Sequence, residues 1–292
     1  MTLPNFLVIG AQRAGTTLLH RILEAHPEVY VPDRRKEVHY FDWHFSRGTD
    51  WYERFFPDAD QAKPFAAVGE VTPDYMFDPS VPLRISQSLP SCRFVVSLRN
   101  PVDRAYSWYL YSLRSFAEQR SIEQFFEESE ETLTRGLYSQ QLKRYFELFP
   151  RNSFLILILE ELVQDPAINL QRLADFLNLS TGWPDPGALV RERVNASEIP
   201  RFRGAFARAQ RFGEMLTRHD LDWAVRQARR MGVLKLFGTG GSRPSLPSST
   251  RAQLQGYYRQ EIGRLEDLLE RNLEVWRVAE RPLADDHMRA SG

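Results

Sequence analysis

The chain lacks several features that would narrow its class at once. It has one cysteine, Cys92, in 292 residues. No disulfide framework can form within one chain and no cysteine cluster can hold a metal, so a reducing compartment is the expected setting. Neither sign of charge is in excess, with Lys+Arg and Asp+Glu each at 38. Bulk charge therefore says nothing about a nucleic-acid or membrane partner, and any anion site must be a local cluster. Long apolar runs are missing too: the longest, Phe154–Leu159, is far too short to span a bilayer. The N-terminal MTLPNFLVIG has no basic n-region and no long apolar h-region, so no signal peptide is expected and the expected location is cytoplasmic. His20, His44, His219 and His287 show no ligand spacing, and no metal is expected. There is no internal repeat.

What is present is an alternation of short buried strands with helices. Phe6–Ile9 is an apolar run ending at Gly10, and Thr17–Glu24 follows with helical spacing. Arg93–Leu98 and Ser153–Leu159 read as further buried strands, with Ala66–Val71 a weaker one. Helices are expected over Val102–Ser115 and Tyr138–Phe149, and from Asp165-Pro166 onward with the stripe Leu170, Leu173, Ala174, Leu177. A terminal helix is expected to place Leu254, Tyr258, Ile262, Leu265, Leu269, Leu273 and Trp276 on one face. This pattern predicts an α/β fold of three layers, with a mainly parallel central sheet flanked by helices. Residues 1–281 form one domain in this reading, with 282–292 a tail. Within it, residues 195–249 are Arg-rich, show no clear strand, and read as a lid or acceptor-side insertion.

Gly10-Ala-Gln-Arg13-Ala14-Gly15-Thr16-Thr17 leaves a strand and opens a helix. Its glycines have the spacing of a phosphate loop, which makes the fold P-loop-like. Such a loop turns successive N–H groups on one anion, and the helix N-terminus adds a favourable dipole. The departure is at Thr16, where a nucleoside-triphosphate loop needs Lys. The cation has moved to Arg13, beside where the terminal group of a shorter ligand would sit.

A second anion site has the same logic. The strand through Val95–Leu98 ends at Arg99, where ligands of open α/β sheets bind, and Ser107 lies eight residues on along the next helix. Two such sites imply a ligand with two separated anionic groups.

Together these segments resemble the 5′-phosphosulfate loop and the 3′-phosphate site of sulfotransferases that use 3′-phosphoadenosine 5′-phosphosulfate. The family loop commonly reads K-x-G-T-T; here it is Arg13-Ala-Gly-Thr-Thr17. The tyrosylprotein branch also carries Arg there. Lys36-Glu-Val-His-Tyr-Phe-Asp42 is similar to the K-E-x-H-F-F-D segment of heparan-type members, and Glu70-Val-Thr-Pro-Asp-Tyr75 to their E-x-[ST]-P-x-Y segment. Arg135-Gly-Leu-Tyr138 and the terminal helix also fit. The resemblance implies transfer of a sulfuryl group from that donor to a hydroxyl or amine of a glycan, lipid or small metabolite. Arg13, Ala14, Gly15, Thr16 and Thr17 would hold the 5′ end, with Arg13 an electrostatic clamp, and Arg99, Ser107 and a late-loop Arg243 the 3′-phosphate. Glu37 is the first candidate for the base and His39 the second; on an extended segment both would face one side. Lys36 would assist in either site. Tyr40, Phe41, Trp43 and Tyr75 either line an acceptor cleft or pack. His26-Pro27 reads as helix termination. The alternatives are a P-loop small-molecule kinase, against which Thr16 argues, and a non-catalytic nucleotide-binding scaffold.

Overall fold

The computed structural model of the chain describes residues 2–183, 185–191, 199–232, 239–241 and 243–277. Its centre is a sheet of β1 (Phe6–Gly10), β2 (Val29–Tyr30), β3 (Ala67–Val71), β4 (Arg93–Leu98) and β5 (Phe154–Ile158). They lie in the order β2-β3-β1-β4-β5, and every pairing is parallel. Parallel strands must be covered on both faces, which explains why the sequence shows unbroken apolar runs. Alternation along the strands sends Leu7, Ile9, Phe94 and Val96 into one core, with Tyr75, Tyr145 and Leu265. Phe6, Val8, Val95 and Leu157 enter the other, with Leu19, Ile22, Leu170 and Leu177. Each such buried side chain contributes roughly 1.5–3 kcal/mol relative to exposure. The expected three-layer α/β fold is therefore found.

The helices of the body are α1 (Thr16–Glu24), α2 (Thr49–Glu53), α3 (Val81–Ser88), α4 (Pro101–Ser115), α5 (Ile122–Glu128), α6 (Glu130–Thr134), α7 (Tyr138–Phe146), α8 (Leu159–Gln164), α9 (Pro166–Leu177) and α10 (Pro186–Arg191). α4 starts where Asn100 accepts a hydrogen bond from the Val102 N–H at 3.0 Å and Pro101 supplies a preset first turn. The chain visits β2 and β3 on one side of β1, then crosses to β4 and β5 on the other. Loops leaving β1 and β4 thus face each other where the strand order reverses, the usual ligand position in such sheets.

Three sequence expectations need correction. The stretch read as strandless holds a two-stranded antiparallel ribbon, β6 (Ile199–Pro200) with β7 (Thr239–Gly241), and two helices, α11 (Arg203–Arg218) and α12 (Asp222–Arg230). A Thr-Gly-Gly strand pairs through backbone alone and leaves no side-chain period to read. The terminal helix α13 (Ser248–Leu269) stops at a left-handed Glu270, φ 51°, so Leu273 and Trp276 lie on a turn that folds back into the core. The β5 strand ends at Ile158, and Leu159 opens α8. The tail at 282–292 lies outside the described residues. Among the described residues, no helix is long and apolar enough to cross a membrane.

Candidate active site

The loop after β1 is fixed by its neighbours. The Ala11 N–H donates to the Ser97 carbonyl at 2.7 Å, and Ser97 Oγ donates to the Ala14 carbonyl at 2.5 Å, tying the loop to β4. Gly15 caps α1 with φ 84°, and a Cβ there would stand 2.5 Å from Leu159 Cδ1. A Cβ on Gly10 would meet that of Met76 at 2.6 Å. Both glycines are thus demanded by close packing, and Gly15 by its left-handed backbone as well. No side chain caps the first turn of α1, so the N–H groups at Thr16 and Thr17 are left for a ligand.

Arg13, also left-handed at φ 68°, reaches α4, where its Nε donates to Ser107 Oγ at 3.2 Å and its guanidinium lies 4.9 Å from the Tyr111 ring centre. The two anion sites read as separate in the sequence therefore touch. Burial is the main reason that the Arg13 pKa falls to about 10; Arg114, Arg99 and Arg104 add to the fall, while Tyr111 opposes it. Among the described residues none of these four guanidiniums has a carboxylate partner. The Nε atoms of Arg99, Arg104 and Arg114 are buried without an acceptor. Arg104 Nη2 donates to the Thr132 carbonyl; the buried N–H groups of Arg99 and Arg114 without an acceptor would suit an anion, since burying an uncompensated cation costs several kcal/mol, roughly. Arg104 and Arg114 went unread in the sequence, although Arg104, Ser107, Tyr111 and Arg114 follow helical spacing along one side of α4. Arg243 is exposed and lies 5.7 Å from the Tyr106 ring, beside Ser107 on α4.

The second half of the site is a chain of charges. Lys36 Nζ donates to Thr17 Oγ1 and to Glu37 Oε1, both at 2.9 Å. Glu37 Oε2 lies 3.5 Å from His39 Nε2, and His39 Nδ1 lies 2.7 Å from Asp42 Oδ2. The His39 ring stacks on Trp43 at 3.8 Å. Burial would raise the Glu37 pKa, but Lys36 and His39 outweigh it and hold it at about 2. Burial would lower His39, but Asp42 and Glu37 outweigh it and raise it to about 10. The expected pairing of Glu37 with His39 is found, although not on an extended segment: His39 has φ 56° and turns the chain back.

That turn rests on Glu70 of β3. The buried carboxylate accepts from Tyr52 at 2.6 Å, Tyr75 at 2.9 Å, Thr72 at 2.7 Å and the Val38 N–H at 3.3 Å. The Tyr75 hydroxyl in turn accepts from the Tyr40 N–H at 2.8 Å. The two segments singled out in the sequence are thus cradle and cargo. Tyr40, Phe41 and Tyr75 are buried and pack; only Trp43 of the four aromatics is exposed. Asp74, just after Glu70, accepts from Gln12 of the loop at 3.3 Å and from Arg135 at 2.7 Å. Tyr138 donates to the Arg99 carbonyl at 3.0 Å. His26 is buried against Trp183 and contacts the Thr181 carbonyl at 3.0 Å, a packing role at the end of α1.

The helix α11 spans both halves. Gln210 donates to Tyr111 at 3.1 Å, and the ring of Phe206 lies 5.9 Å from the Arg114 guanidinium. At its far end, buried Arg35 holds Asp222 at 2.8 and 2.9 Å and the Thr217 carbonyl at 2.5 Å. No group of three or more His, Cys, Asp or Glu among the described residues could hold a metal ion.

Fold and site together define an α/β scaffold whose strand ends present a cationic anion-binding cluster next to a carboxylate–imidazole pair. Residues 3–198 match the family model described as sulfotransferase domain. The chain belongs to that family. Among curated relatives it is 31% identical over 206 residues to the human bifunctional heparan sulfate N-deacetylase/N-sulfotransferase 2, covering 61% of this chain and 22% of that protein. It is 32% identical over 185 residues to human heparan sulfate glucosamine 3-O-sulfotransferase 6, covering 60% of this chain and 52% of that protein. It therefore spans about a fifth to a half of these relatives. A sulfotransferase structure from Alicyclobacillus acidocaldarius superposes with TM-score 0.67 at 24% identity, over 95% of this chain and all of that one, which shows the shared fold.

Proposed function

We propose that this chain moves a sulfuryl group from 3′-phosphoadenosine 5′-phosphosulfate to a hydroxyl or amine of an acceptor, with Glu37 as base and Arg13 as clamp. One observation carries the assignment: a single Lys36 ammonium bridges Thr17 of the phosphate loop and Glu37, 2.9 Å from each. It puts a carboxylate at the edge of the anion site. The cluster of Arg13, Arg99, Arg104 and Arg114, with buried N–H groups lacking acceptors, suits a donor with two anionic ends. The donor supplies the activated sulfuryl group; the protein supplies charge and alignment.

Between Glu37 and His39, the geometry favours Glu37. Near neutral pH His39 is the imidazolium, held between Asp42 and Glu37, and has no free lone pair. Glu37 is ionised and can accept the acceptor's proton. Lys36 is the largest influence holding Glu37 low; as Lys36 turns to anionic oxygens in the loop, Glu37 becomes a stronger base. Arg13 stays protonated and stabilises charge on the leaving group without giving it a proton. The names of the relatives, for N- and 3-O-transfer on heparan sulfate, support a glycan acceptor carrying either nucleophile. The kinase reading is not favoured.

Labelled-donor transfer and nucleotide titration test the reading. Glu37→Gln should lower transfer by about 10²–10⁴-fold while adenosine 3′,5′-bisphosphate still binds as to wild type. Wild-type rates in Glu37→Gln sink the base assignment. Tight Mg-ATP binding with no response to the bisphosphate sinks the donor.

A further inference from the structure

The helices α11 and α12 carry a surface that the transfer chemistry does not use. Residues 199–232 contain eight arginines and three acidic residues. Two of those acids, Asp220 and Asp222, are taken up by Arg34, Arg35, Arg47 and Arg54 from the body. Arg201, Arg203, Arg208, Arg211, Arg218 and Arg226 have no carboxylate partner among the described residues. Bulky apolar side chains stand between them in water: Phe202 is 58% exposed, Phe212 57%, Met215 47% and Trp223 64%. On α11 the buried side is marked by Phe206 and Ala207, and helical spacing puts Arg208, Phe212 and Met215 away from it, with the exposed Arg211 at its flank.

We propose that the outer faces of α11 and α12 dock on an anionic lipid surface. Guanidiniums meet negatively charged headgroups, while Phe212, Met215 and Trp223 enter the boundary between headgroups and acyl chains. A soluble polyanion would satisfy the arginines but offer nothing to exposed Phe, Met and Trp. An apolar protein surface would cover those side chains but leave six cations uncompensated. A lipid interface accepts both, which decides the occupant. The same helix borders the site on its inner side: the Arg218 guanidinium lies 4.9 Å from the ring centre of Trp43, whose indole stacks on His39. Docking would thus bring the mouth of the site to the headgroup layer, where an acceptor at the membrane surface could be reached. That last step rests on the transferase reading; the docking itself does not.

Sedimentation of the full chain with vesicles tests this. Vesicles of phosphatidylcholine with about 30 mol% phosphatidylserine should retain the protein at least about tenfold better than phosphatidylcholine alone. Retention should fall as NaCl rises from about 0.1 to about 0.5 M. Arg208→Glu/Arg211→Glu and Phe212→Ser/Trp223→Ser should each reduce retention about tenfold or more while keeping wild-type bisphosphate affinity, which reports an intact body. Equal partition to both vesicle types overturns the proposal. So does undiminished retention of the Phe212→Ser/Trp223→Ser variant, or capture by heparin beads with none by vesicles, which would assign the face to a soluble polyanion. Loss of bisphosphate binding in the wild type would instead strike the donor assignment and leave the vesicle result standing.

Discussion

Glu37 and His39 stand two positions apart and are driven to opposite ends of the pH scale, because each is the other's counter-charge and each has a second partner, Lys36 for one and Asp42 for the other. The linkage has a definite sign for each. His39 is raised from its ordinary 6.5 to about 10. Its contribution to stability is therefore full below about pH 6.5 and is lost as the pH rises through about 10. Glu37 is depressed to about 2, so its contribution is full above the ordinary carboxylate range and is lost only in strong acid. Thermal unfolding across pH 6 to 10 checks the first part: the wild type should lose stability along this limb, and His39→Gln should flatten it. Activity carries the same signature. Asp42→Asn removes the closer of the imidazolium's two partners, so the upper limb of the transfer-rate profile should move toward the ordinary histidine range. An unchanged profile in Asp42→Asn would show that Asp42 positions nothing. The same segment shows what sequence reveals at residue scale. Glu37 and His39 could be chosen by motif, but their protonation states depend on Lys36 and Asp42 in three dimensions, and the turn at His39 has no local signal.

Among the elements, the loop after β1 and the helix α11 differ in how they are held. The loop is locked by short backbone contacts to β4 and by glycines that no larger residue could replace. By contrast, α11 is held by few contacts: Phe206 and Ala207 are buried, Gln210 donates to Tyr111, and the buried Arg35, next to the Lys36-Glu37 step, binds the Thr217 carbonyl and Asp222 at the start of α12. Asp222→Ala would leave the buried Arg35 guanidinium with Asp220, 3.2 Å away, as its remaining carboxylate partner, a loss of at most about 3–5 kcal/mol. The expected outcome is faster proteolysis within residues 199–232 and a raised KM for acceptor, with bisphosphate affinity less affected. Proteolysis at the wild-type rate would mean that other contacts hold α11. Legibility follows the same division. The strands β1, β4 and β5 and the loop glycines were readable because buried parallel strands are apolar throughout and phosphate loops have fixed spacing. The helices α11 and α12 were not, because their outer faces carry Arg, Phe, Met and Trp instead of a polar surface, which blurs the helical period. Arg104 and Arg114 were missed for another reason: a basic residue on a helix usually faces water, and only the packing of α4 shows Arg104 against the Thr132 carbonyl and Arg114 by Tyr111 and Phe206, both within electrostatic reach of Arg13.

The whole molecule ties its last described turn to its anion site. Trp276 Nε1 donates to Glu160 at 3.0 Å, the Trp276 carbonyl accepts from Asn100 Nδ2 at 3.0 Å, and the Glu160 carboxylate accepts from the Asn100 N–H at 2.9 Å. Asn100 caps α4 and follows Arg99, so the last described fold-back braces the strand end that presents Arg99, the arginine proposed for the donor's 3′-phosphate. This brace could not be seen in the sequence. Leu273 and Trp276 continue the spacing of Leu265 and Leu269, so the helical period runs on past its real stop at Glu270, a residue that rarely marks one. The placement has a measurable consequence. Trp276→Ala empties a buried indole site at a cost of about 3–5 kcal/mol, and it should also weaken bisphosphate binding through Asn100 and Arg99. Trp276→Phe separates the two effects, since it keeps most of the packing but leaves one Glu160 oxygen without its donor. If the brace works as argued, Trp276→Phe keeps most of the stability measured in urea yet still loses bisphosphate affinity. If affinity follows stability in both variants, Trp276 is a packing residue alone and the polar link to Asn100 has no part in holding the donor.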